Sequence, residues 1–224
     1  MDKLIRIFVG YDHVESEAYH VFAHSLLERS SIPVSITAIQ RRQLPLTRPR
    51  HPLQSNDFAF SRWFVPWLSG YEGYSLFVDC DFLCRWDVAD LIQWADDSKA
   101  VQVCKHKWEG RDGEKFLGAT QTAYNRKCWS SLILFNNAKC RALDPDFINA
   151  ADGLHLHQFR WLKDEWIGDL PIEWNWLAGV YPYSPGAKMV HYTEGGPYFT
   201  EYANCDYADE WRIQRDKALW TKQR

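Results

Sequence analysis

Tyr74-Ser75-Leu76-Phe77-Val78-Asp79-Cys80-Asp81 is the stretch whose reading decides the fold. Residues 74–78 read as a buried strand, and the strand runs directly into two carboxylates one residue apart. Strand side chains alternate between faces, so Asp79 and Asp81 would share one face with Cys80 opposite. In open α/β sheets ligands bind in the crevice beyond the carboxyl ends of the strands, and this pair stands at such an end. Two adjacent carboxylates resist full ionisation unless a cation joins them. A hard divalent ion, Mn²⁺ or Mg²⁺, itself bound to diphosphate oxygens, resolves that conflict and acts as a Lewis acid for a diphosphate leaving group. Asp-x-Asp also arises from turn and helix-capping aspartates; its place after a buried strand favours the chemical reading.

The segments around it share one pattern. Residues 4–10 form a short apolar run ending in Gly10, 15–28 have helical spacing with Ala18, Val21, Phe22, Ser25 and Leu26 on one side, and 33–39 alternate as a strand. Strand–helix–strand predicts an α/β, Rossmann-like fold with a mostly parallel central sheet flanked by helices. Residues 40–56 form a Pro- and Arg-rich loop with Arg41, Arg42, Arg48, Arg50, His51 and Pro52, long enough for a lid and equally suited to a solvated insertion. Further helices are expected at 58–69, interrupted near Pro66, and at 88–94, 147–151 and 156–162. Strands are expected at 100–104, 129–135 and 188–192. An amphipathic helix is expected over 209–222. The prediction is a single domain over 1–224, with 40–56 a loop insertion and 209–224 a C-terminal helix.

The net charge of −3 gives no basic footprint for nucleic acid. Hydrophobic residues at 46% against 25% charged mark a globular chain rather than a disordered one. No apolar run reaches membrane-spanning length. The opening Met1-Asp2-Lys3 leads straight into a strand without a secretory pattern. Cys80, Cys84, Cys104, Cys128, Cys140 and Cys205 include no Cys-x-x-Cys pair. Together these predict a cytoplasmic protein with reduced thiols. Twelve Trp in 16% aromatic residues suit a sugar or base pocket, although most individual Trp rings are expected in the core.

Two more segments bear on chemistry. His191-Tyr192-Thr193-Glu194-Gly195-Gly196-Pro197 closes the strand expected at 188–192. Neutral imidazole is a good Mn²⁺ ligand, and Gly195 and Gly196 would let backbone N–H groups approach phosphate. A core or loop histidine is the plainer reading of His191 alone. Gly10-Tyr11-Asp12 ends the first strand, where Tyr11 could stack on a base and Asp12 accept hydrogen bonds from base or ribose; the same residues also fit a plain turn. Neither a Gly-x-Gly-x-x-Gly fingerprint nor a P-loop is present.

These residues, in this order, resemble glycosyltransferases of the GT-A fold, and especially the retaining family 8 type. The resemblance spans residues 5 to about 199. It implies that Gly10, Tyr11 and Asp12 lie beside the uracil. It implies that Asp79-Cys80-Asp81 holds metal and diphosphate, with Asp79, Asp81 and His191 as metal ligands. Arg62, in Ser61-Arg62-Trp63-Phe64, is implied to contact the donor phosphate or sugar, and Gln158 to lie beside the anomeric carbon. Residues 129–136 resemble the strand lining the sugar site. Asn175, in the stretch Gly168 to Asn175, would face donor or acceptor. Where the family has a Lys before Pro-Trp, this chain has Gly195-Gly196-Pro197-Tyr198-Phe199, so a phosphate contact is expected from Lys188 or the Arg-rich loop.

The implied activity is metal-dependent transfer of a sugar from a nucleoside-diphosphate donor, a UDP-sugar, to the hydroxyl of a glycan, lipid-linked or small-molecule acceptor, with retention. Asp81, Arg62 and Gln158 carry the catalytic roles, and Asp164, Glu165 and Glu173 are candidates for a general base. The competing readings are a nucleotidyltransferase that makes nucleotide sugars and a non-catalytic carbohydrate-binding protein. The first would want a Gly-rich, Arg-bearing loop where this chain has Gly10-Tyr11-Asp12-His13.

Overall fold

β1 (Ile5–Gly10), α1 (Ser16–Arg29) and β2 (Val34–Ile39) form the expected strand–helix–strand opening unit, with β1 and β2 parallel and in register from Ile5 opposite Val34 to Gly10 opposite Ile39. The structure, a computed structural model, describes residues 4–50, 54, 56–110, 112–114, 116–118, 120–121 and 123–219. Met1-Asp2-Lys3, His51, Pro52 and the end of the expected tail helix beyond residue 219 lie outside the described residues.

β3 (Tyr74–Val78), β5 (Val101–Val103), β8 (Leu132–Asn136) and β9 (Ile167–Asp169) complete a six-stranded sheet in the order β2-β1-β3-β8-β5-β9. β8 is antiparallel to both its neighbours, and the other strands run one way. This is the α/β, mostly parallel sheet that the pattern predicts. Burial on both faces explains why β1, β3 and β8 read as nearly unbroken apolar runs.

The chain leaves β3, passes through Asp79-Cys80-Asp81 and enters β4 (Phe82–Cys84), which belongs to a second sheet. There β4 pairs antiparallel with β11 (Met189–His191), and β11 pairs parallel with β10 (Trp176–Leu177). A short hairpin of β6 (Gly113–Glu114) and β7 (Thr120–Gln121) stands apart from both sheets. The two acids therefore lie at the joint between the two larger sheets. α1 locks that joint: Phe22 and Leu26 enter the main core, while Val21 packs with Leu83, Val190 and Tyr192 in the second. Ser25 Oγ also accepts from Cys84 N at 3.0 Å, tying the helix to β4. α6 (Ala208–Ala218) closes the second core with the fully buried Trp211.

Three expected boundaries move for identifiable reasons. Ser61–Phe64 is a 3₁₀ turn feeding α2 (Val65–Leu68), and Pro66 occupies the first turn of that helix, where no N–H is needed, so it starts the helix instead of interrupting it. Trp129–Ser131 is a 3₁₀ turn before β8, entered through a left-handed Cys128 with φ 62°. The helix expected at 156–162 is α5 (Gly153–His157); it starts early because the Asp152 side chain caps Leu154 N and His155 N. It ends early because Phe159, at φ 54°, leaves the helical region. α3 (Val88–Ile92) and α4 (Pro145–Ala150) fall close to expectation. No helix among the described residues is long and apolar enough to cross a membrane.

Candidate active site

Asp79, Asp81 and His191 converge. One ligand atom from each lies within 4.8 Å of the other two, and all three residues are buried. The joint between the sheets explains the meeting: pairing of His191 with Phe82 sets the imidazole beside Asp81. The Phe82 ring stacks on it at 4.4 Å between centroids and 14° between planes. His191 Nε2 faces Asp81 Oδ2 at 3.4 Å, and Nδ1 faces Asn175 Oδ1 at 3.0 Å. Two carboxylates and one imidazole are a donor set for Mn²⁺ or Mg²⁺. A cation with ligand distances of about 2.0–2.5 Å spans such a group, so the residues fit a divalent ion.

Asn175, which the resemblance places facing donor or acceptor, is bonded to protein groups on all sides. It is fully buried at the end of the 3₁₀ turn Ile172–Asn175, and its Nδ2 donates to Cys128 O at 3.2 Å and Ser131 Oγ at 2.8 Å. Those bonds leave its Oδ1 for His191. Cys80 is fully buried, and burial raises its thiol well above the usual range. It anchors the joint from the core side, as strand alternation requires.

Arg62 lies on the other side of Asp79. Its Nη1 is 3.0 Å from Asp79 Oδ1 and donates to Ser130 O at 2.7 Å, and its guanidinium lies 5.0 Å from the centre of the Phe77 ring. Ser130 Oγ is 2.8 Å from His157 Nδ1, and the His157 ring meets Trp63 edge-on. Burial, then Arg62 and Lys127, hold His157 well below the usual imidazole range. Burial does the same to His106, pushing it down to about 3. Both rings are therefore neutral in the folded chain but take up protons when it unfolds. Folded pKa values below the unfolded one give a stability that is complete above about pH 6.5 and falls as pH drops. Each histidine should contribute a slope of about 1.4 kcal/mol per pH unit below that point. Denaturant melts at pH 7, 6 and 5 should show this decline, and His106→Phe should remove one histidine's share of it; an unchanged slope in that variant contradicts the assignment.

A cavity of about 720 Å³ opens beside Asp79 and His191. Arg62, Cys128, Ser130, Ser131 and Thr193 form its floor, and Arg48, Arg50 and Lys127 bring positive charge to its wall. Lys188, the other expected phosphate contact, is outside that lining and lies over Trp174 and Trp86. Among the described lining residues the region of α5 contributes Asp152, Gly153, Leu154 and His157, not Gln158. Gln158 is buried at the end of α5, where its backbone oxygen accepts from Arg126. Asp164, Glu165 and Glu173 are outside the lining too, and Asp164 is exposed and paired with Arg126 at 2.7 Å. No Trp is among the described lining residues of this cavity, whose aromatic members are Phe60, Tyr124, His157 and His191.

A second cavity, about 530 Å³, lies at the carboxyl ends of β1 and β2 among Tyr11, His13, Gln40, Arg41, Arg42 and Asp57. Asp12 is buried between its walls, with Oδ1 accepting from Val14 N at 3.1 Å and Oδ2 from Asp57 N at 2.9 Å. It thus shapes the turn that the plain reading expected. Gly10 is needed for packing, since a Cβ there would meet Phe58 at 2.5 Å. Gly195 takes φ 139°, and a Cβ on it would meet Tyr202 at 2.5 Å. The described part of the 40–56 loop runs between the two cavities and is stitched to α4. Asn149 Oδ1 accepts from Thr47 N at 2.8 Å, and Arg48 donates to Ala151 O at 2.6 Å while lying 3.7 Å from the Phe60 ring centre.

A scan against protein-family models finds no match. Among solved structures, the apo form of the bifunctional glycosyltransferase WbbM superposes with a TM-score of 0.70 at 14% identity, over 98% of this chain and 51% of WbbM. The glycosyltransferase GlyE of Streptococcus pneumoniae TIGR4 gives 0.64 at 14% identity, over 96% of this chain and 60% of GlyE. The galactosyltransferase LgtC, solved with donor and acceptor sugar analogs, gives 0.59 at 14% identity, over 95% of this chain and 96% of LgtC. The chain thus spans only about half of WbbM and three-fifths of GlyE. At these identities the likeness establishes the fold, which is that of GT-A glycosyltransferases. In sequence, Protein CDI of Arabidopsis thaliana is 44% identical over 220 residues, covering 93% of this chain and 85% of CDI. The chain therefore belongs to the family of Protein CDI, and its own fold is that of GT-A glycosyltransferases.

Proposed function

We propose that the chain is a metal-dependent glycosyltransferase that moves a sugar from a UDP-sugar to an acceptor hydroxyl with retention, as in the family 8 type. The observation that carries this reading is the meeting of Asp79, Asp81 and His191 at the carboxyl end of β3, beside a cavity large enough for a sugar. Glycosyltransferase activity in WbbM and GlyE, and the donor and acceptor analogs held by LgtC, support placing both substrates in this crevice.

A divalent cation, when bound, neutralises charge on the departing diphosphate and acts as a Lewis acid. Asp79 and Asp81 would supply two oxygens to it and His191 one nitrogen. Arg62 is a fixed positive charge beside Asp79, preorganised by Ser130 O and needing no rearrangement to meet developing negative charge. Arg48, Arg50 and Lys127 attract the anionic part of the donor, and the cavity at Tyr11 and Asp57 takes its nucleoside. The neutral His157 ring and the Ser130 hydroxyl offer uncharged hydrogen-bonding groups to sugar hydroxyls. We assign the polar contact from α5 to His157 in preference to Gln158, because His157 lines the cavity. The acceptor hydroxyl attacks from the face the diphosphate leaves, and a phosphate oxygen takes its proton, so no protein nucleophile is required.

A panel of UDP- and GDP-sugars with Mn²⁺ and no acceptor tests this through slow donor hydrolysis. One UDP-sugar should be hydrolysed, and EDTA should stop it. UDP should raise the melting temperature only with Mn²⁺ present, by an amount set by ligand excess over Kd. No hydrolysis of any donor, together with no Mn²⁺-dependent shift, would sink the proposal.

A further inference from the structure

We propose that Asn175 is a positioning residue that fixes the tautomer of His191 and so aims Nε2 at the metal-binding group. The Cys128 carbonyl can only accept, so the Asn175 atom 3.2 Å from it is the amide nitrogen. Ser131 Oγ donates to the same carbonyl at 2.7 Å, which leaves its lone pair for the second Nδ2 hydrogen at 2.8 Å. With both hydrogens spent, the amide cannot be flipped without setting oxygen against oxygen. Asn175 Oδ1 then faces His191 Nδ1 at 3.0 Å, and because Oδ1 only accepts, Nδ1 must carry the hydrogen.

The lone pair of the neutral ring is thereby on Nε2, 3.4 Å from Asp81 Oδ2. A cation placed between these two acceptors would be held by both. Stacking on Phe82 sets the plane of the ring, and Asn175 decides which nitrogen faces which way. Ser131 links the device to the first acid, because its backbone oxygen accepts from Asp79 N at 2.9 Å. One buried network thus orients ligands from two sheets. Partners that hold a ligating histidine from behind tune affinity in this way.

The inference rests on the metal reading above, and its test separates the two. Long-range ¹H–¹⁵N spectra of the metal-free wild type, with the His191 signals assigned through His191→Gln, should show hydrogen on Nδ1 and a pyridine-type Nε2. Mn²⁺ affinity is then measured by EPR titration for Asn175→Asp and Asn175→Leu. The Asp variant loses both Nδ2 donors but keeps an oxygen facing His191, whereas the Leu variant loses everything. Asn175→Asp should bind Mn²⁺ within about threefold of wild type, and Asn175→Leu about 10–100-fold more weakly. Melting temperature should fall in both, so a role in packing alone predicts equal losses. Hydrogen on Nε2 in the wild type, or equal Mn²⁺ affinities in the two variants, overturns the proposal. Wild type that binds no Mn²⁺ overturns the metal reading, while the spectra still decide the tautomer even if a variant fails to fold.

Discussion

Asp81→Asn is expected to lower Mn²⁺-dependent donor hydrolysis by about 10²–10³-fold or more while leaving the metal-free fold as stable as before. The substitution keeps size and removes charge. Its Oδ2 is the atom opposite His191 Nε2, so the change empties one corner of the donor group. Removing one of two crowded carboxylates relieves repulsion in the metal-free chain, so the melting temperature should hold or rise. Asp79→Asn should be equally inactive but less stable, because Asp79 is the countercharge of buried Arg62. Melting and hydrolysis on both variants check the contrast. Full activity in both refutes the metal role.

Arg62→Ala carries the largest expected cost in stability. Arg62 and Asp79 are buried together, with side chains only 5% and 10% exposed. Breaking a buried pair from one side strands the other charge and costs about 3–5 kcal/mol. For a chain of this size that is a fall of about 6–20 °C in melting temperature. Arg62→Lys keeps the charge but not the planar fork that serves Asp79 and Ser130 O together, so it should fall between. Mn²⁺ should raise the melting temperature more in Arg62→Ala than in wild type, since a bound cation replaces the missing countercharge. An equal rise in both would mean that Asp79 does not share its charge between Arg62 and the metal.

What was legible beforehand follows from the physics of each element. β1 and β3 are apolar runs of six and five residues that bury both faces, while β2 alternates, and both patterns announce themselves. The direction of β8 was not readable, because an apolar run carries no arrow. β4 and β10 have three and two residues, too few to show any period. Yet β4 is what brings the strand-end motif to His191, by pairing with the strand that bears it, and so assembles the candidate metal group. Asp79, Asp81 and His191 stood out because they end strands. Lys127 and Asp152 did not, since they lie in or beside turns and gain a role only when distant segments meet, and Asn175 entered only through the family resemblance, as a ligand-facing residue and not as the partner of His191. Gly195 and Gly196 were legible as positions of special backbone, but the space they open is filled by Tyr202 and Tyr198.

Anomalous diffraction at the manganese edge, from crystals grown with Mn²⁺ and UDP, tests the central claim most directly. The account predicts one strong peak among Asp79, Asp81 and His191, with diphosphate oxygens completing its shell. A peak confined to the other acidic group, at Asp12, His13 and Asp57, or no peak beside His191, would contradict it.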